Sequence, residues 1–111
     1  SAFHTKLMQP AADAFYEAIQ GVSFQKPQVR FYSNVLGTEL TDFSDMPTLL
    51  AKHIVSPVRF TQELAQMQAD GADTFIEVGQ KAVLTGLVKK TLKDVTAKNC
   101  ESVDTLKEVM A

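Results

Sequence analysis

Tryptophan is absent from these 111 residues, cysteine occurs once, and no apolar run approaches the roughly 18 residues that a membrane span requires. The lone thiol, Cys100, has no partner for an internal disulfide, so a disulfide-stapled scaffold is excluded and a reducing cytoplasm is the expected compartment. Ser1–Pro10 has no basic head leading into a long apolar stretch, so no signal peptide is expected there. Neither charge dominates: 11 basic and 13 acidic residues leave a net charge of -2, which favours neither nucleic acid nor an anionic membrane. His4, His53 and Cys100 share no helical or finger-type ligand spacing, so no metal is expected. Repeats, low-complexity tracts and linkers are also missing, which leaves one domain or a piece of one.

What is present is a core composition, 45% hydrophobic, arranged in alternating periods. Leu7, Met8, Ala11, Phe15, Ala18 and Ile19 fall at helical spacing with Gly21 as a stop, predicting a helix over 6–20. Val29, Phe31, Ser33 and Val35 alternate with Arg30, Tyr32 and Asn34, predicting a strand. Met46, Leu49, Leu50 and Ile54 mark a short helix. Ser56-Pro57 is expected to cap and start the next, lined by Val58, Leu64 and Met67 and ended by Gly71. Phe75-Ile76-Glu77-Val78 reads as a buried strand, 83–92 as a helix, 95–98 as a weak strand and 103–110 as a last helix. The alternation predicts an α/β fold with a parallel sheet. Three or four strands are few for a self-contained doubly wound sheet, so a missing part is expected.

Four stretches carry a resemblance. They are Ser1-Ala2-Phe3-His4-Thr5-Lys6-Leu7-Met8-Gln9-Pro10-Ala11-Ala12, Phe31-Tyr32-Ser33-Asn34-Val35, Ile54-Val55-Ser56-Pro57-Val58-Arg59-Phe60, and Phe75-Ile76-Glu77-Val78-Gly79 followed by Val83-Leu84-Thr85-Gly86-Leu87. In order and spacing, from the first residue to about Lys90, they resemble the malonyl-CoA:acyl carrier protein transacylases and the acyltransferase domains of fatty acid and polyketide synthases. The resemblance implies an α/β-hydrolase-like acyltransferase core with a mostly parallel sheet, of which residues 1–111 would be the C-terminal segment of a single catalytic domain. That family is about three times longer. Its upstream part carries a Gly-x-Ser-x-Gly nucleophile elbow and a malonyl-binding arginine. Neither has a match here: Gly21-Val22-Ser23-Phe24-Gln25 fails at its last position, and Arg30 and Arg59 do not align with the arginine. A second departure is Gly79-Gln80-Lys81-Ala82, where the family has Gly-Pro-Gly-Lys.

By residue type alone His4 is a solvated loop histidine; the resemblance makes it the general base that activates the serine, a role worth about 10²–10⁴ in rate. It places Phe3 and Val83 at the acyl pocket, where the Phe3 ring would exclude a 2-methyl branch and select malonyl over methylmalonyl; the plain alternative is that Phe3 packs in the core. His53, at helical spacing from Leu49 and Leu50, would act through its backbone carbonyl, which accepts a hydrogen bond from the catalytic imidazole. Lys89 and Lys90, with Lys93 nearby, are either a solvated face or a dock for acidic acyl carrier protein. No cofactor beyond the CoA thioester is implied. The implied partners are malonyl-CoA, acyl carrier protein and the remainder of the same enzyme. The chain alone would be inert. An acyltransferase fragment of a large synthase and a non-catalytic carrier-protein binding module are the alternatives, and the end near Ala111 favours a discrete enzyme over a synthase.

Overall fold

A computed structural model describes residues 6–110, which fall into two compact units divided between Glu63 and Leu64. In the first unit a 3-10 turn, Lys6–Met8, leads into α1 (Gln9–Ala18), with Pro10 in its first turn. Proline is tolerated there because first-turn amides have no intrahelical acceptor. α1 packs against α2 (Met46–Val55), burying Ala12 and Ala51. Asp45 caps α2: its carboxylate accepts the Thr48 amide at 3.4 Å and the Thr48 hydroxyl at 2.7 Å. The expected 6–20 helix is thus shorter at both ends, and it stops at Ala18, before Gly21.

The strand expected over 29–35 is mostly not one. Only Tyr32–Ser33 (β1) pairs, antiparallel, with Thr38–Glu39 (β2), and the Leu40 amide adds a rung to Phe31 O at 2.8 Å. Val29 and Phe31 stay 78% and 39% exposed while Ser33 is buried, so the alternation there has no partner surface. The hairpin closes through Gly37, whose amide donates to Ser33 O at 2.8 Å with φ at 72°. A Cβ at Gly37 would lie 2.8 Å from Gln62 Oε1 and 3.1 Å from Arg59 Cβ, so glycine is required twice over.

Ser56-Pro57 ends a helix where a start was expected. Proline drives the residue before it out of the helical region. Ser56 accordingly sits at φ -107°, ψ 147°, as the C-cap of α2. The chain then runs extended, with the Arg59 amide on Asn34 O at 2.9 Å, and α3 begins only at Phe60 (Phe60–Ala69). Val58 therefore lines no helix face and is 49% exposed. Gly71 does stop α3, at φ 109°. Its amide donates to Gln68 O at 3.0 Å and the Ala72 amide to Met67 O at 2.9 Å, the paired bonds of a Schellman ending.

The second unit is a βαβα run: β3 (Thr74–Val78), α4 (Val83–Thr91), β4 (Thr96–Cys100) and α5 (Val103–Met110). β3 and β4 are parallel, in register from Thr74 opposite Thr96 to Val78 opposite Cys100, and α4 is the crossover between them. Both α4 and α5 pack on this pair. Leu64 and Val88 are buried at 1% and 4% exposure. The expectation that β3 is buried is corrected on both faces: Phe75 and Glu77 are only half-buried, and Ile76 is 45% and Val78 83% exposed, whereas parallel strands are normally covered on both sides. Among the described residues no helix is long and apolar enough to cross a membrane.

Candidate functional site

His4 and Phe3 lie outside the described residues. Of the other residues singled out by sequence, the first unit holds His53, and the second holds Val83, Lys89 and Lys90.

His53 occupies the last turn of α2, half-buried. Its Nδ1 lies 2.9 Å from Leu49 O. A carbonyl only accepts, so Nδ1 carries the proton, and the side chain is used along its own helix. The main chain has a separate consequence. In a continuing helix the carbonyl of His53 would receive the amide of residue 57, and Pro57 has none. Extended Ser56 turns the chain away at that point. Carbonyls of a final turn carry the negative end of the helix dipole, which suits an imidazole N–H and favours an imidazolium by about 0.3–1 kcal/mol.

Val83 opens α4 and is 65% exposed; Lys89 and Lys90 lie in its last turn, exposed. Before α4 runs the loop Gly79–Ala82, at the C-terminal end of the parallel strands, where open α/β sheets place their ligands. Gly79 and Lys81 take φ values of 133° and 71°, both left-handed. Lysine thus stands at the third loop position in a conformation that suits a glycine. The Gly79 amide continues the ladder to Cys100 O at 3.0 Å, and the Lys81 amide meets Glu101 Oε2 at 3.3 Å.

Sequence reasoning missed Glu77. From β3 its Oε1 accepts the Thr85 amide and hydroxyl, each at 2.9 Å, and Oε2 accepts the Leu84 amide at 3.3 Å. A strand carboxylate thus caps α4, whose preceding residue, Ala82, has no side chain able to do so. The Thr85 amide is the main cause holding the Glu77 carboxyl below its ordinary range, against a smaller opposing effect of burial. The available signal was an acidic residue inside an otherwise apolar strand, with a helix beginning six residues on. The Thr85 hydroxyl also lies 3.3 Å from Lys98 O, so β3, β4 and α4 meet at one side chain.

In the first unit an open groove of about 320 Å³ runs between α1 and α2, lined by Ala12, Tyr16, Thr48, Ala51, Lys52 and Val55. His53 does not line it. No group of three or more His, Cys, Asp or Glu side chains able to hold a metal occurs among the described residues.

The family profile described as "Acyl transferase domain" matches residues 1–109. The malonyl CoA-acyl carrier protein transacylase of Bacillus subtilis is 36% identical over 113 residues, covering 96% of this chain and 36% of that protein. A polyunsaturated fatty acid synthase polypeptide from Thraustochytrium is 41% identical over 97 residues, covering 85% of this chain and 3% of that polypeptide. Among solved structures, the malonyl CoA-acyl carrier protein transacylase of Clostridium perfringens superposes with a TM-score of 0.90 at 33% identity, covering 97% of this chain and 34% of the other. The chain thus spans about a third of the length of the discrete transacylases it matches.

Proposed function

This chain belongs to the acyl transferase domain family, and from that membership we propose that residues 1–111 are the C-terminal segment of the catalytic domain of a malonyl-CoA:acyl carrier protein transacylase of fatty acid synthesis. What supports the reading is that similarity to discrete malonyl transferases runs through sequence and backbone alike over nearly the whole chain. In this reading the upstream two-thirds supply the serine nucleophile and the malonyl-binding arginine, and this chain supplies the base. His4 takes the serine proton as the oxygen attacks the thioester carbonyl. The carbon–sulfur bond breaks, and the CoA thiolate leaves with the proton from His4. In the second half-reaction the carrier thiol gives its proton to His4 and attacks the seryl ester, and the serine oxygen recovers it. The transfer involves no oxidation or reduction, so it calls for no redox cofactor, and the CoA thioester enters as substrate.

The His53 carbonyl would hold the imidazole in place of a triad carboxylate. Pro57, which offers no competing amide, and the extended Ser56 support that role. Phe3 and Val83 would border the acyl group, and Lys89 and Lys90 would meet acyl carrier protein, an acidic partner, in the cytoplasm. An acyltransferase domain of a large synthase would run the same chemistry; the mass of the intact polypeptide separates the two.

The test is malonyl transfer from malonyl-CoA to acyl carrier protein by the intact enzyme. His4→Ala is expected to lower kcat by about 10²–10⁴ with CoA thioester binding retained. An unchanged kcat removes His4 from the mechanism, and transfer by the purified 111-residue chain alone refutes its assignment as one part of the site.

A further inference from the structure

Gly86 lies inside α4, its amide on Ala82 O at 3.0 Å. A helix-interior glycine costs stability relative to alanine, because more backbone freedom is lost on folding. Two ordinary reasons for keeping one are absent. Its φ is not among the positive values, and a Cβ built on it would meet nothing within 4 Å.

The face on which it sits gives a third reason. Thr85 and Val88 point α4 into the unit, 7% and 4% exposed. Val83, Gly86 and Lys90, spaced three and four apart, share the opposite face, all exposed, and Lys89 flanks them. Over about 10 Å of helix this face carries an aliphatic side chain, a gap and two ammonium groups. Neither lysine makes an ion pair among the described residues. Charge complementarity therefore selects an anionic occupant. A small anion seated on the first-turn amides of α4 is disfavoured, because the Glu77 carboxylate already holds those of Leu84 and Thr85.

We propose that the Gly86–Lys90 part of this face of α4, with Val83 at its acyl-pocket end, seats an acidic carrier protein, and that Gly86 is the gap that lets its surface approach the helix backbone. This rests on the carrier-protein reading of Lys89 and Lys90. The lysines attract and orient, an effect screened by salt, whereas the gap acts by contact and is insensitive to salt.

The intact enzyme is measured in its two half-reactions. Gly86→Ala is expected to raise the folded-to-unfolded ratio about two- to five-fold, as a helix favours alanine. KM for carrier protein should rise at least about five-fold relative to KM for malonyl-CoA, the effect of one misplaced methyl at a close contact. Gly86→Leu should enlarge that ratio further, and neither shift should fade at high salt. If the ratio stays at one in both variants, the inference is overturned. If Gly86→Ala instead lowers stability and slows both half-reactions together, the face is covered by the rest of the enzyme, and the inference is again overturned. Lys89→Glu with Lys90→Glu is the control. If this pair leaves KM for carrier protein unchanged, the docking reading itself fails; if it raises KM while the glycine variants do not, only the inference fails.

Discussion

Glu77 Oε1 accepts both the backbone amide and the side-chain hydroxyl of Thr85, each at 2.9 Å. One carboxylate on β3 therefore fixes the first turn of the helix that carries Val83, Gly86, Lys89 and Lys90. Its folded-state pKa is depressed below the ordinary 4.5, chiefly by the Thr85 amide. A depressed acid stabilises the fold above its unfolded pKa, and that contribution is lost as pH falls through the folded value. Glu77→Gln should therefore lower the urea midpoint at pH 7, and the deficit should shrink once pH falls below about 4.5. A deficit that is constant from about pH 7 to about pH 3 would show that the charge contributes nothing.

Lys81 tests the adjoining loop. At φ 71° a lysine occupies the left-handed region, which costs non-glycine residues about 1–3 kcal/mol at the more strained positions. Lys81→Gly should stabilise the protein by up to about 1 kcal/mol, partly offset by the greater freedom of glycine in the unfolded chain. Lys81→Val, β-branched, should destabilise it by more than that gain. The outcome that contradicts this is a loss of stability with glycine equal to that with valine.

Periodicity located α2, α4 and α5 well, because their apolar residues recur at helical spacing. It failed where one signal had two meanings. Ser56-Pro57 fits a helix start and a helix end equally, and the short-range bias of a proline on its predecessor decided for the end. The alternation of Val29 to Val35 marks half-buried strands only when a second strand is in reach, and here the chain turns back after Ser33. The role of Glu77 was hidden because a cap supplied from another element leaves no local motif. The roles proposed for Lys89, Lys90 and Val83 rest on the family resemblance alone, since exposed lysines and an exposed valine have no distinguishing pattern of their own.

Glu63 is buried to 3% exposure, and its Oε2 has no hydrogen-bond partner among the described residues. Burial raises its carboxyl pKa above the ordinary 4.5. For an acid with a raised folded pKa the unfolded state ionises first, so stability falls as pH rises from the unfolded value through the folded one. Glu63→Gln, which never ionises, should match the wild type near pH 4 and exceed it by about 1 kcal/mol at pH 7. Urea titrations at the two pH values settle the matter: a variant less stable than the wild type at neutral pH would mean that the carboxylate is paired.

His53 and Pro57 separate a side chain from a carbonyl. The His53 ring is bonded to Leu49 O through Nδ1, and a glutamine amide can donate to the same oxygen. The carbonyl proposed to orient His4 belongs to the main chain and survives any side-chain change. His53→Gln should therefore leave kcat of the intact enzyme within about two-fold, a barrier change near RT. Pro57→Ala acts on the carbonyl instead. It restores an amide four residues after His53 and releases Ser56 from its extended conformation, so α2 can lengthen and its new amide competes with the imidazole for the same oxygen. kcat should fall by more than the stability change accounts for, with KM for malonyl-CoA nearly constant, because an interaction with the base is weakened and substrate contacts are not. Steady-state kinetics and circular dichroism on both variants decide the point. A large loss of kcat in His53→Gln with the fold intact would assign the work to the ring, and an unchanged kcat in Pro57→Ala would remove the helix end from the orientation of the base.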